Sequence, residues 1–228
     1  MSDPHTHTIT RQPDIVRQSV HFAVERIASD PRCLKGKWED FLDVHGRQRV
    51  GEFVYDALDP TIRNYIARDW SLHGLLDLST TYEAEPTASM MPGCYMLLAV
   101  EFDNLGNVLN SMAYVGSSGS RIARYEEHIR CIDLITTGGE TKKVATRPLY
   151  KFCVDHRVRP HFILLADQLY EHTTFNIIVE SVLICILGTD VRGDIHFEDQ
   201  GNFAWHPRRS SPPLLARVVD QKSRKTVK

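Results

Sequence analysis

The chain has 228 residues, 42% of them hydrophobic and 25% charged, with a formal net charge of −2. That is room for one globular domain of ordinary size plus an appendage. It excludes a membrane-spanning helix, because no apolar run approaches the roughly 20 residues that a bilayer requires.

In chain order, residues 1–12 are polar and read as a disordered tail without a signal pattern, so an intracellular protein is expected. Residues 13–77 read as a helical N-terminal region. From Pro13 to Ala28 the apolar residues Ile15, Val16, Val20, Phe22, Ala23 and Ile27 predict an amphipathic helix. Further helices are expected at Trp38–Val44 and Val50–Leu58, and one starting at Pro60 and reaching Trp70. These helices carry no catalytic pattern and are assigned to packing, to a protein partner or to self-association, with DNA reading by a helix-turn-helix arrangement as the alternative. Residues 78–91, rich in small polar residues and proline, read as a linker.

Residues 92–206 form the second unit. Cys94–Phe102 is almost continuously apolar, Asp103–Asn107 is a turn signal, and Val108–Val115 is a returning strand. Helices are expected at Arg121–Leu134, Pro148–His156 and Thr174–Leu187, and a strand at Pro160–Ala166. The expected fold is α+β: a small central sheet, made of the 93–116 hairpin and the 160–166 strand, flanked by helices. The five cysteines (Cys33, Cys94, Cys131, Cys153 and Cys185) are odd in number and form no C-x-x-C pair. They read as reduced thiols, not as a disulfide framework or a zinc knuckle. Residues 207–228 hold seven basic residues, Arg208 and Arg209 among them, against one acidic residue. This tail carries +6 and leaves −8 on the rest of the chain, a distribution suited to tracking a phosphate backbone.

The chemistry is concentrated in three short elements. Ser117, Ser118 or Ser120 can cap the helix that follows Gly116, and its free amides favour an anion. Arg121, Arg124 and His128 form a cationic stripe on that helix, with Arg124 and His128 one turn apart. This stripe is expected to be exposed, over a buried face of Ile122, Tyr125, Ile129 and Ile132. Glu180 is a lone carboxylate in the apolar run Ile177–Leu187, where burial is costly without a cation or a metal. Asn176 lies one turn earlier on the same face.

The glycine–tyrosine pair Gly93-Cys94-Tyr95, the run Tyr114-Val115-Gly116, and Arg124, His128 and Glu180 in that order and spacing resemble the GIY-YIG nuclease superfamily. The resemblance covers about residues 92–190. It implies a metal-dependent endonuclease that hydrolyses DNA phosphodiester bonds, with Mg²⁺, or Mn²⁺ in its place. Tyr95, Tyr114, Arg124, His128 and Glu180 match the family's catalytic positions, Glu180 as metal ligand. Ser117, Arg121, Arg124, Arg208 and Arg209 are the expected nucleic-acid contacts.

The chain departs from the pattern in three ways. Cys94 takes the place of isoleucine, eighteen residues separate the two tyrosines, and Asn202 lies 22 residues beyond Glu180 where an asparagine is often closer. In the implied mechanism Arg124 neutralises charge on the phosphoryl oxygens, and Tyr114, Tyr95 or His128 is the general base. A phenol with an ordinary pKa of about 10 needs neighbouring positive charge to serve. Two other readings are an inactive nuclease-fold module that binds nucleic acid or a protein, and a Gly116–Arg121 loop that holds a small ligand's phosphate.

Overall fold

The computed structural model describes residues 14–29, 37–68, 72–79, 90–139, 147–167, 173–187, 195–197 and 203–205. The linker's residues 80–89, Trp70, Asn202 and the tail with Arg208 and Arg209 lie outside them.

The chain folds as α+β. Five helices come first: α1 (Ile15–Ala28), α2 (Lys37–His45), α3 (Arg47–Ala57), α4 (Pro60–Arg68) and α5 (Leu72–Asp77). Strands β1 (Gly93–Phe102) and β2 (Val108–Ser118) follow, then α6 (Arg121–Thr136), α7 (Pro148–Asp155), β3 (His161–Asp167) and α8 (Thr173–Leu187). Short strands β4 (Ile195–Phe197) and β5 (Phe203–Trp205) pair with each other. No helix of the described residues is long and apolar enough to cross a membrane.

Local chemistry accounts for the boundaries. Asp14 caps α1 by accepting from the Val16 and Arg17 amides. Phe22, placed by periodicity on the buried face of α1, is exposed instead. Asp103 closes the hairpin, accepting from the Leu105 and Asn107 amides.

The three-stranded sheet is antiparallel in the order β2-β1-β3, so β2 is an edge. Strand β1 is buried on both faces, which is why its sequence does not alternate. Cys94, Met96, Leu98 and Val100 face one core, shared with α1 to α4 and α8. Tyr95, Leu97 and Ala99 face a second core, under α6 and α7. The N-terminal helices thus share a core with the sheet. Leu58 forms an isolated bridge with Ala166, and the Asp59 amide donates to the Leu165 carbonyl.

Candidate active site

Pairing of β1 with β2 brings the two motif tyrosines together. Tyr95 lies opposite Gly116, and Leu97 lies opposite Tyr114. Tyr95 and Tyr114 are therefore diagonal neighbours on one face, with ring centroids 6.4 Å apart. Gly116 leaves space for both rings. A Cβ there would come within 2.8 Å of the Tyr95 hydroxyl and 2.8 Å of the Tyr114 ring. Gly93 has a comparable constraint: its φ is +153°, and a Cβ would meet the Ala166 carbonyl oxygen at 2.2 Å.

Helix α6 begins at Ser120, whose side chain accepts from the Ala123 amide. Of the three serines considered for the cap, Ser120 takes the role. Gly116, Ser117 and Ser118 belong to β2 and Arg121 to α6, so half of the proposed Gly116–Arg121 phosphate loop is strand and only Gly119 and Ser120 connect the two elements.

The cationic stripe of α6 turns inward, which corrects the expected exposed face. Arg121 and His128 are buried at 1% and 2% exposure, Arg124 is half-buried, and of the expected core face only Ile132 is fully buried. The stripe can face the sheet because each member finds a polar partner there. Arg121 donates to the Ala166 carbonyl and pairs with Asp167 at 2.8 Å. It clamps the end of β3 and is not available to nucleic acid, contrary to its assignment as a DNA contact.

His128 is held between two tyrosines. Its Nε2 lies 2.8 Å from the Tyr95 hydroxyl and its Nδ1 lies 2.7 Å from the Tyr150 hydroxyl. Burial, reinforced by the Arg124 and Arg147 guanidiniums, depresses its pKa to about 3. The imidazole is neutral at physiological pH. The Tyr114 ring also contacts it, at 5.4 Å between centroids.

Glu180 approaches from the opposite side of the sheet. Ser117 alternates with Gly116, so its hydroxyl points toward α8 and donates to Glu180 at 2.5 Å. The Ser117 backbone adds a second hydrogen bond. Among the described residues Glu180 has no ion pair; Arg124 acts on it only at longer range. Burial pushes its carboxyl up to about 7, against the pull of Ser117 and Arg124. Asn176 is buried one turn away, and its carbonyl accepts from the Cys94 thiol at 3.5 Å.

The two halves meet at the β2 edge, which no further strand among the described residues covers. A cleft of about 350 Å³ opens there, lined by Ser117, Ser118, Ser120, Ala123, Arg124 and Glu127. Arg124 links the halves. It pairs with Glu127 and acts electrostatically on Tyr95, Tyr114 and Glu180. Burial opposes its charge, but Glu127 and Tyr95 hold its pKa above the ordinary range.

The phenols are not poised as bases. Burial raises Tyr95 and Tyr114 far above the ordinary 10.0, and the Glu180 charge adds to this, while Arg124 pulls the other way and does not prevail. The structure therefore brings Tyr95, Tyr114, Arg124, His128, Glu180 and Ser117 together and sends Arg121 elsewhere. Tyr150, Arg147 and Glu127 were missed from sequence. Two of the signals were spacings. Glu127 is three residues after Arg124, and Pro148 at the first turn of α7 puts Arg147 and Tyr150 three apart.

Scans of protein-family models, of curated proteins and of solved structures each found no match for this chain.

Proposed function

We propose that this protein is a metal-dependent endonuclease of the GIY-YIG type that hydrolyses DNA phosphodiester bonds inside the cell. The observation that carries the reading is that Tyr95, Tyr114, His128 and Glu180 gather around Arg124, which lines the cleft, although four secondary-structure elements on two faces of a sheet supply the five residues. A cleft lined by Arg124 and by Ser117, Ser118 and Ser120 suits an anionic substrate.

The donor set also suits Mg²⁺. This ion keeps several waters and takes one or two protein carboxylates together with substrate phosphate. Glu180 supplies one such carboxylate, costly to bury ionised and without a direct counter-ion among the described residues. When bound, the metal would supply Lewis-acid stabilisation and orientation of the phosphate. The chain's own groups do the rest. Arg124 stabilises charge on the non-bridging oxygens. Ser117 orients the Glu180 carboxylate, and the buried Tyr95 hydroxyl is held by His128. His128, neutral and bonded at both nitrogens, holds Tyr95 and does not itself abstract a proton.

The test is nicking of supercoiled plasmid DNA with Mg²⁺ or Mn²⁺ and with chelator. Metal-dependent nicking, lost in a Glu180→Gln variant, is expected. Tight DNA binding without nicking by any metal would make the chain an inactive nuclease-fold module instead.

A further inference from the structure

Two guanidiniums act on one cluster of rings. Arg124 comes from α6 and Arg147 from the start of α7, and both act electrostatically on Tyr114, His128 and Tyr150. They stand at opposite ends of His128. Arg124 acts on Tyr95, whose hydroxyl meets Nε2, and Arg147 donates to the Tyr150 hydroxyl, which meets Nδ1. Their charges are not equally committed. Arg124 is half-buried and pairs with Glu127. Arg147 is exposed and has no carboxylate partner among the described residues. Its geometry is also restricted in advance. It precedes Pro148, so its backbone is extended, at φ −70° and ψ 124°. Its guanidinium lies 5.6 Å over the Tyr150 ring and gives that hydroxyl one hydrogen bond of 3.4 Å. A guanidinium has five N–H donors, so most of its capacity is still open. A side chain already stacked loses less freedom when an anion arrives.

We propose that Arg147 is a second phosphate contact of this site and takes the phosphodiester next to the one at Arg124. A DNA strand carries one negative charge per nucleotide, so a strand with one phosphate at Arg124 brings the next one close by. Arg124 lines the cleft and serves the phosphate to be cleaved. Arg147, beyond the Tyr114 and His128 rings, holds the strand in register. Because it meets backbone and not bases, the contact adds affinity without sequence preference. The Tyr150 stack is then the support that aims the guanidinium. This role rests on the nuclease reading, which makes the cleft a DNA site.

Fluorescence anisotropy of a labelled DNA duplex with the full-length protein, in EDTA, reads affinity across a salt series without cleavage. Arg147→Gln removes the charge. Arg147→Lys keeps the charge and gives up the planar stack. Arg147→Gln should weaken binding about three- to tenfold at low salt, equally for unrelated sequences, and lower the salt slope by about 0.9. Arg147→Lys should keep the parent's slope. KM for plasmid nicking should rise with the affinity lost in Arg147→Gln. A folded Arg147→Gln protein with the parent's slope overturns the contact. So does an Arg147→Lys protein that loses the slope as Arg147→Gln does, because the stack and not the charge would then matter. If Arg147→Gln does not fold, the Arg147 Nε–H signal of the ¹⁵N-labelled parent decides: DNA should move it, and an unmoved signal overturns the contact. The nuclease reading fails separately. A parent that binds DNA but nicks with no divalent metal overturns cleavage and leaves the contact to its own test. A parent that binds no DNA overturns both.

Discussion

Replacing Glu180 with glutamine separates a metal-binding carboxylate from a structural one. Glutamine keeps the shape and the acceptor for the Ser117 hydroxyl while removing the charge. Burial raises the carboxyl from an ordinary 4.5 to about 7, so between those values the folded state holds a proton that the unfolded state releases. The sign follows. The cost of the ionised form is absent below about pH 4.5, grows as pH rises, and is complete above about pH 7. At about 1.4 kcal/mol per pH decade, the full cost is about 3 kcal/mol. Without metal at pH 8, Glu180→Gln should be the more stable protein by up to that amount, or about 6–12 °C in Tm for a chain of this size. At pH 5 the advantage should shrink to about 1 kcal/mol or less. Adding Mg²⁺ should raise the parent's Tm and leave the variant's unmoved, because only the parent offers a carboxylate. Nicking should fall by orders of magnitude, and DNA affinity far less, since Arg124 remains. Differential scanning calorimetry and nicking rates on one preparation decide the matter. A Glu180→Gln protein that melts several degrees below the parent without metal, or that nicks at the parent's rate, would refute the reasoning.

His128 gives a pH prediction of the opposite sign. Its folded pKa of about 3 lies below the ordinary 6.5, so the unfolded state takes up a proton first and stability is lost as pH falls between those values. Relative to His128→Gln, the parent should lose about 2–3 kcal/mol between pH 7.5 and pH 4.5 in urea titrations, and a parallel pair of curves would contradict the buried neutral ring. Gly116→Ala places a methyl against Tyr95 and Tyr114, both within 2.8 Å, so it should cost about 1–3 kcal/mol and reduce nicking beyond the loss of folded protein. Unchanged activity there would mean that the tyrosines can move freely. Arg121→Ala removes the buried partner of the Ala166 carbonyl and Asp167, so it should destabilise by about 3 kcal/mol in denaturant melts. The salt dependence of DNA binding by the remaining folded protein should not change, and a flatter slope would restore Arg121 as a phosphate contact.

Much of the secondary structure was legible because local patterns determine it. The β1–β2 hairpin, with its Asp103 turn, agrees with its expected bounds within a few residues, and α8 reads as buried from an apolar run broken only at Glu180 and Ser181. Strand β3 joins the expected sheet, at His161–Asp167. Helix α5 went unread because Leu72–Asp77 is too short for periodicity to show. The orientation of α6 could not be read at all. Two stripes on that helix competed for the sheet, and amphipathicity favours the apolar one. Tertiary partners reversed the choice: Arg121 found the end of β3, and His128 found two hydroxyls.

The sequence by itself determined which side chains could do chemistry, and the spacing along β1, β2, α6 and α8 that carries them. What only the tertiary structure decided is which of those groups share a site and in what charge state. The alternation of β2 sends Ser117 to one face and leaves Tyr114 on the other, so Glu180 and the His128 cluster meet only around the edge of the sheet. Burial then sets the protons, holding His128 neutral and lifting Glu180 to about 7. Desolvation depends on everything packed around a group, and no window of sequence contains its surroundings.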